Sequence, residues 1–314
     1  MLNRRILRIK AMQALYAFFS SGNNDLKSGE MELNRNLSKF YDLYLTLFSI
    51  LADVLYYTSE RLEEGKKKHI TNAEDLNPNT WLQDNYIAVA LRESQELNRE
   101  LDRLRINTRS EKDLIHKIYQ NIRNSELSQK FISLQSNEGA NEFFVEIFKE
   151  FVANEPSVSF YLEEQNIYFL GDFDHVAFLV IKTLSSWDEN TAPALQKLLP
   201  LYKDEKDDYA FVLDLFRKTI IHRAEYEKLI SQFTPNWEAD RLAQMDMLLM
   251  TMAVSELLNA PSIPVKVSMN EYIDISKEFS SKQSKTFING VLENVIAELK
   301  KNDKIKKVGR GLMQ

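Results

Sequence analysis

Glycine and proline are scarce in this chain, and that scarcity limits what it can fold into more than any other feature. Only 8 of its 314 residues are glycine and 7 are proline, and long stretches contain neither. Sheets and nucleotide-binding βαβ units need frequent turns, which these two residues mark. No G-x-G-x-x-G or P-loop string occurs either. The sequence therefore predicts an all-α protein.

The chain contains no cysteine, which excludes disulfides, thiolate catalysis and cysteine-bound zinc and fits a cytoplasmic location. Its four histidines are scattered, without a second histidine four residues away, so we expect no metal site. We find no serine–histidine–acid set, no pair of carboxylates with an evident acid–base task and no glycine loop for a cofactor. The sequence therefore predicts a protein that is not an enzyme and has no cofactor.

The net charge of −6 conceals two basic ends. Residues 1–10 carry a net charge of +4 and residues 300–310 carry +5, so the remainder carries −15. Because salt screens charges beyond about 10 Å, an acidic protein can still bind a polyanion at a basic end. For residues 300–310 the simpler interpretation is a solubilising tail.

Residues 2–19 have the pattern of one amphipathic helix. Its core stripe consists of Leu7, Ala11, Ala14 and Phe18. A neighbouring stripe consists of Arg5, Arg8, Met12 and Tyr16. Guanidinium groups bind phosphate and tyrosine stacks on unpaired bases, so the second stripe is a candidate RNA-binding surface.

A secretory signal is the rival interpretation of this segment, because a basic start precedes an apolar run and a small-residue break. Lys10 and Gln13 interrupt that apolar run, which favours the amphipathic helix. No uncharged apolar run of about 18 residues occurs elsewhere, so we expect no transmembrane helix.

Residues 30–64, 81–105 and 108–124 also have helical patterns, and residues 69–80 form a polar loop. Farther along the chain, residues 140–187 faintly resemble residues 208–258 at a constant offset of 68. A degenerate duplication would explain this similarity, and so would two amphipathic helix pairs that fall into register by chance.

The last quarter of the chain, from Trp237 to Leu299, is the most informative stretch. Residues 246–258 are apolar on nearly all sides, which predicts a buried central helix that ends before Pro261. Before it, apolar positions from Tyr209 to Pro235 predict one long helix. After it, Glu271 and Asp274 have the spacing of solvated or capping groups on a helix.

The segment Phe287-Ile288-Asn289-Gly290 opens the final helix. Glycine inside a helix costs about 1 kcal/mol relative to alanine, so we expect a close backbone approach at Gly290. Two interpretations stay open: a helix–helix contact, or an RNA base stacked on Phe287 while Asn289 contacts a base edge or phosphate.

Two parts of the chain resemble the NusB family of transcription antitermination factors. The first is Arg4 to Arg8 with Ala11 to Tyr16. The second is the string from Trp237 through Glu256-Leu257, Ile263 to Glu271 and Phe287 to Leu292. The resemblance implies an all-helical fold of two small bundles. It also implies binding of single-stranded boxA RNA from ribosomal RNA operons, together with NusE, a small-subunit ribosomal protein, in the antitermination complex of RNA polymerase.

The RNA-binding positions of the family map onto residues at both ends of this chain: Arg4, Arg5, Arg8, Gln13, Tyr16, Lys282, Lys285, Phe287 and Asn289. A NusE-facing acid maps onto Asp246. Four positions depart from the family pattern, because charged residues common there are replaced by Ile9, Met247, Thr251 and Thr286. Each substitution puts its own RNA or NusE contact in doubt.

The largest departure is a long extra segment that short family members lack. We therefore predict a NusB-like first helix at residues 1–21, a helical insertion at 22–205, a NusB-like C-terminal bundle at 206–300 and a basic flexible tail at 301–314. Two alternatives stay open: a helical scaffold that binds only protein, and an RNA-binding accessory to a ribosomal RNA methyltransferase. Because short members sometimes self-associate, a homodimer that hides the RNA-binding face also stays open.

Overall fold

The computed structural model describes residues 1–67, 80–132, 137–234 and 244–312, and within these ranges the chain forms helices and no β-strand. An isolated bridge joins Leu2 to Tyr202. The helices are α1 Arg4–Ser20, α2 Leu26–Lys66, α3 Trp81–Asp84, α4 Tyr86–Glu93, α5 Gln95–Leu104, α6 Lys112–Arg123, α7 Glu126–Ile132, α8 Ala140–Phe148, α9 Pro156–Gln165, α10 Phe173–Ser186, α11 Glu205–Ile221, α12 Arg223–Ser231, α13 Gln244–Asn259, α14 Val265–Phe279 and α15 Ser284–Lys301. The predicted all-α class, with extra helices between the first helix and the C-terminal bundle, is confirmed.

The chain divides into two compact units, Met1–Leu37 with Leu201–Gln314, and Ser38–Pro200. These limits assign residues 22–37 and 201–205 to the first unit, whereas we assigned them to the insertion. Our domain limits stay a prediction. Across the described ranges, no helix is both long and apolar enough to cross a membrane.

Helix α1 has the amphipathic form that its sequence predicts. The Asn3 side chain caps it by accepting a hydrogen bond from the Ile6 amide at 2.9 Å, which satisfies one of the free amides of the first turn. All four residues of the predicted core stripe are buried. This stripe packs α1 against α11 and α13 in the first unit.

Helix α13 is the buried central helix of the first unit, as predicted. It packs against α1, α11, α12, α14 and α15. Nearly every residue from Leu248 to Leu257 is buried, including the carboxylate residue Glu256. The helix ends at Asn259, two residues before Pro261, because proline has no amide with which to continue it.

Our prediction of a single long helix from Tyr209 to Pro235 is wrong. The chain forms α11, which ends at Ile221, and α12, which starts at Arg223; Pro235 lies outside the described residues. The break falls at His222, directly after the β-branched run Thr219-Ile220-Ile221, whose restricted side chains weaken a helix. The Arg223 guanidinium then lies 4.0 Å from the centre of the Phe19 ring, a tertiary contact that apolar periodicity cannot reveal.

The second unit contains the remainder of α2 and helices α3 to α10. The helical pattern at residues 81–105 is divided into three helices by two capping residues. The Asn85 side chain accepts hydrogen bonds from the Ile87 and Ala88 amides, both at 3.1 Å. The Ser94 hydroxyl accepts one from the Leu97 amide at 3.2 Å. The apolar pattern by itself predicts one continuous helix, but these short polar side chains cap the backbone and start a new helix at each position. The predicted loop at residues 69–80 lies almost wholly outside the described residues.

A buried tyrosine joins distant segments of the second unit. The hydroxyls of Tyr44 and Thr183 lie 2.7 Å apart, which links α2 to α10. The same Tyr44 oxygen accepts a hydrogen bond from the Leu199 amide at 3.2 Å. Burial raises the pKa of Tyr44 well above its ordinary value, so the hydroxyl stays neutral and fully hydrogen-bonded at physiological pH.

The faint similarity at an offset of 68 residues extends to helix positions. Helix α8 continues as a π-helical turn, Lys149–Ala153. Shifted by 68, this stretch overlaps α11, α9 overlaps α12, and α10 overlaps α13. In each set the first and third helices pack together. Duplication and chance register both remain compatible with this correspondence.

After α15 the chain returns to the turn that follows α13. The Val308 amide donates to the Pro261 carbonyl at 3.0 Å, and the Lys307 ammonium donates to the Ala260 carbonyl at 2.9 Å. Burial lowers the pKa of Lys307. These contacts attach part of the segment that we predicted to be a flexible basic tail.

Two helical glycines predict opposite effects of substitution by alanine. A Cβ at Gly29 would lie 2.8 Å from the Phe18 ring and 2.9 Å from the Phe216 ring, whereas a Cβ at Gly290 would meet nothing within 4 Å. We expect Gly290→Ala to stabilise the protein by about 0.5–1 kcal/mol. Gly29→Ala should destabilise it by about 1 kcal/mol, because overpacking costs roughly 1–3 kcal/mol.

Urea unfolding followed by far-UV circular dichroism measures both changes. Each glycine variant serves as the control for the other, since the chemical substitution is the same. A gain of stability in both variants would contradict the packing at Gly29.

Candidate nucleic-acid interface

The residues that we predicted to bind RNA lie on two helices of the first unit. Five lie on α1, and Lys285, Phe287 and Asn289 lie in the first two turns of α15, with Lys282 just before it. Both sets adjoin α13. Tyr16 borders a cavity of about 300 Å³ with Met247 of α13, and Asp246 of α13 contacts Ser284 at the start of α15.

Arg8 is buried, not exposed as its place in a binding stripe suggests. Its side chain is 2% exposed. Its Nε and Nη2 atoms donate to the two carboxylate oxygens of Glu256, each at 2.7 Å. This two-pronged geometry is the strongest form of a guanidinium–carboxylate pair. In this arrangement Arg8 connects α1 to the central helix. Its guanidinium is not exposed, so it cannot make the RNA contact that we predicted.

The Glu256 carboxylate is fully hydrogen-bonded. Besides Arg8, it accepts hydrogen bonds from the Ser268 hydroxyl at 2.6 Å and the Tyr272 hydroxyl at 3.0 Å. Burial by itself would lower the pKa of Arg8, but hydrogen bonding and the charge of Glu256 raise it above the ordinary arginine value. Burial and the charge of Glu256 raise the pKa of Tyr272 well above 10. Arg8 therefore stays charged and Tyr272 stays neutral across the physiological range.

Arg5 is partly exposed, and two carboxylates of α14 hold it. Its Nε and Nη2 atoms donate to Glu271 at 3.1 Å each, and Nη2 also donates to Asp274 at 2.9 Å. Hydrogen bonding to Glu271 raises the pKa of Arg5. The hydrogen bond from Lys277, and to a smaller extent the one from Arg5, lowers the pKa of Asp274. Our interpretation of Glu271 and Asp274 as solvated or capping groups is therefore wrong.

Arg4 is also paired. It forms ion pairs with Asp207 and, at 3.4 Å, with Asp208, both in the first turn of α11. Its guanidinium carbon lies 4.3 Å from the centre of the Phe211 ring. The basic first segment therefore does not present three free positive charges, as its composition suggests. The sequence signals for this pairing were the i, i+3 acids on α14 and the cluster of acids in the first turn of α11.

Gln13 and Tyr16 lie farther along α1. The Asn36 amide donates to the Gln13 side-chain oxygen at 3.1 Å, and the buried Lys10 ammonium donates to the Asn36 oxygen at 2.7 Å. Gln13 is thus partly held by α2. Tyr16 is 40% exposed, so part of its side chain is available to a ligand.

Lys282 and Lys285 are exposed near the start of α15, while Phe287 and Asn289 are half-buried. The Asn289 amide donates to Glu293 at 3.0 Å. The open space around Gly290 contradicts the helix–helix contact that we considered for that position. The alternative, an RNA base or phosphate beside this turn, stays a prediction.

Asp246 is buried at the start of α13. Its carboxylate accepts a hydrogen bond from the Ser280 hydroxyl and another from the Ser284 hydroxyl, the latter at 2.8 Å. These bonds fix the turn between α14 and α15 to the central helix.

Of the four departures from the family pattern, Ile9 and Thr251 are buried in the core. Within the described ranges, no group of three histidine, cysteine or acidic residues could hold a metal ion.

The fold and this interface define an all-helical protein whose arginine-bearing first helix is fixed by a buried ion pair to a central helix. A family model described as "NusB family" matches residues 177–297. The chain is 36% identical over 138 residues to the transcription antitermination protein NusB of Salinibacter ruber, which covers 43% of this chain and 86% of that protein. The chain belongs to the NusB family.

Two further relatives carry the same name. The NusB protein of Desulfatibacillum aliphaticivorans is 35% identical over 132 residues, 41% of this chain and 92% of that protein. The NusB protein of Methylacidiphilum infernorum is 32% identical over 127 residues, 38% of this chain and 87% of that protein. Most of each relative is therefore matched by less than half of this chain. The start of the family string, at Trp237, lies outside the described residues.

The buried ion pair predicts a large asymmetry between single and double substitutions. Glu256→Ala should destabilise the protein by about 3–5 kcal/mol, because Arg8 would stay buried without a counter-charge. Arg8→Met combined with Glu256→Met should recover part of this loss, since an apolar pair of similar size needs no charge compensation. The recovery should be incomplete, because the buried Ser268 and Tyr272 hydroxyls lose the carboxylate that accepts from them. Urea unfolding followed by circular dichroism measures both.

The control is the exposed pair of Arg61 and Glu64, whose closest atoms lie 2.6 Å apart. Glu64→Ala should cost less than about 1 kcal/mol, as surface ion pairs do. Similar losses for Glu64→Ala and Glu256→Ala would show that burial of the Arg8 pair contributes nothing particular to stability.

Proposed function

We propose that this chain is a transcription antitermination factor that binds single-stranded boxA-type RNA of ribosomal RNA operons, together with the ribosomal protein NusE, within the antitermination complex of RNA polymerase. Its membership of the NusB family supports the proposal, as does the name of its relatives, transcription antitermination protein NusB. The RNA surface would be the face shared by α1, the start of α13 and the start of α15.

The exposed ring of Tyr16 is the observation that most favours an RNA surface. An aromatic ring stacks on any unpaired base, and stacking of this kind contributes about 1–3 kcal/mol per base. Tyr16 adjoins Met247 and Thr251 around an open cavity, so a base on Tyr16 would find apolar surface beside it. Lys282 and Lys285, exposed near the start of α15, would contact the phosphates that follow.

The three arginines have different roles in this proposal. Arg8, buried against Glu256, fixes the position of α1 and supports the surface without contacting RNA. Arg5 is 39% exposed, so a phosphate can reach it, but only in competition with Glu271 and Asp274. RNA binding would then exchange a carboxylate partner for a phosphate partner, and the exchange weakens the net gain from each contact.

We expect the full chain to bind a boxA-like single-stranded RNA in the presence of NusE, with affinity that falls as salt rises. Arg5→Ala should lower that affinity by about tenfold and reduce the salt dependence by about one phosphate contact. Fluorescence anisotropy with labelled RNA at two salt concentrations measures both. Unchanged affinity in Arg5→Ala would remove Arg5 from the RNA surface.

Asp274→Asn should have the opposite effect and raise RNA affinity several-fold. The substitution removes a carboxylate that holds Arg5 at 2.9 Å and Lys277 on the same helix. Lys277 then becomes available to phosphate, and Arg5 keeps only Glu271 as a competing partner. The matched control is Glu100→Gln, which frees Arg99 and Arg103 on α5 of the second unit. An equal gain in the control would show a general charge effect.

The pairing of Arg4, Arg5 and Arg8 with carboxylates favours a second candidate, a helical scaffold that binds NusE and no RNA. If this candidate is right, the parent chain and Asp274→Asn should both bind NusE, and neither should bind RNA.

Asp246→Asn tests the NusE contact, because the Asp246 carboxylate orders the α14–α15 turn through hydrogen bonds from two serines. If a homodimer hides Tyr16, dilution of the protein should dissociate the dimer, and the fraction of the chain that is able to bind RNA should rise.

A further inference from the structure

The acidity of the chain is concentrated in one part of the second unit. Residues 137–189 contain eleven carboxylate side chains and two lysines, a net charge of −9 in a chain whose total is −6. One of those lysines, Lys149, is already paired with Glu146 at 2.7 Å. A surface of this sign repels nucleic acid and attracts a basic partner.

An open apolar groove of about 290 Å³ lies within this acidic segment. One wall is the π-helical turn that follows α8, and the other is a face of α10. The apolar side chains along the groove are Ala153, Phe173, Ala177, Phe178 and Ile181. Phe178 is 65% exposed. A lone exposed phenylalanine is ordinary, but one that borders an apolar groove adds to a continuous surface.

Charged side chains border the groove and continue along both of its elements. Asp174 and Lys149 line the groove itself, and Lys149 is paired with Glu146. Glu142, Glu146 and Glu150 are exposed at i, i+4 and i+8, so they form a ridge along one side of α8 and its π-helical extension. Because Lys149 balances only one of these four carboxylates, the surface around the apolar floor is negative, which complements a helix with one apolar and one basic face.

The dimensions also favour a helix over a small molecule. A volume of about 290 Å³ lies at the lower end of the range of roughly 300–1,000 Å³ for ligand pockets. The groove is open, so a small ligand would stay largely in water. A helix needs less enclosure, because it inserts a stripe of side chains at i, i+3, i+4 and i+7 and keeps its polar face exposed.

We propose that this groove, bordered by the π-helical turn Lys149–Ala153 and helix α10, binds an amphipathic helix with a basic polar face from a partner protein. Apolar side chains of that helix contact Phe173, Phe178 and Ile181. Its lysines or arginines pair with the glutamate ridge and Asp174. The second unit thus carries an interaction surface of its own, independent of the RNA and NusE contacts proposed for the first unit.

The test uses the full chain and a synthetic leucine–lysine helix of about 14 residues, roughly four helical turns. Its mirror in charge, a leucine–glutamate helix, is the peptide control. Fluorescence anisotropy at two salt concentrations should show binding of the basic peptide, weakened by salt, and none of the acidic peptide. Phe178→Glu should weaken binding by about tenfold or more, the scale of an interface hot spot.

Phe160→Glu is the matched protein control, because Phe160 is 62% exposed in the same acidic segment. Both variants add one negative charge, which by itself increases attraction for a basic peptide. A loss confined to Phe178→Glu therefore reports contact in the groove. Circular dichroism checks the fold of both variants, and Phe178→Ser replaces Phe178→Glu if the latter unfolds.

Three results would overturn the proposal. Equal losses in Phe178→Glu and Phe160→Glu would show that the peptide binds the acidic surface without using the groove. Equal binding of the two peptides would show a site that does not select charge. Self-association of the chain, measured by sedimentation velocity and abolished by Phe178→Glu, would make a second copy of the chain the occupant.

Discussion

The ion pair between Arg8 and Glu256 is the interaction on which the first unit depends. It joins the first helix of the chain to the central helix across 248 positions of sequence, and Ser268 and Tyr272 of α14 complete it. Three helices therefore meet at one carboxylate. A buried charge pair is stable only when all its donors and acceptors are satisfied, and this network meets that condition. A single arrangement of α1, α13 and α14 follows from it.

This constraint changes the meaning of the basic first segment. Composition presents its arginines as a free cationic surface, whereas the fold gives Arg8 to the core and pairs Arg4 and Arg5 with acids of α11 and α14. The same carboxylates that order α1 then compete with any phosphate. RNA recognition on this face would rest more on Tyr16 and on Lys282 and Lys285 than on net charge, since these side chains are exposed.

The second unit has a surface of a different kind. Its acidic segment from 137 to 189 contains an exposed apolar groove, and one wall of that groove, α10, extends into the residues 177–297 that the NusB family model matches. The excess of carboxylates in this segment repels the phosphates of an RNA and attracts basic segments of a protein. The groove is therefore suited to a different class of ligand from the surface that we propose for RNA. In our proposals one chain therefore has separate sites for an RNA and for a protein.

The sequence by itself determined the all-α class, the core stripe of α1 and the buried central helix, because each depends on local periodicity and on the scarcity of turn residues. It also carried the family resemblance, in short strings around α1, α14 and α15. Only the tertiary structure decided that Glu271 and Asp274 hold Arg5, and that Arg8 is buried. These outcomes depend on partners up to 269 positions apart, and periodicity carries no information about which distant charges will meet. For the same reason, the exposure of Tyr16 and Phe178 could not be known before the helices were packed.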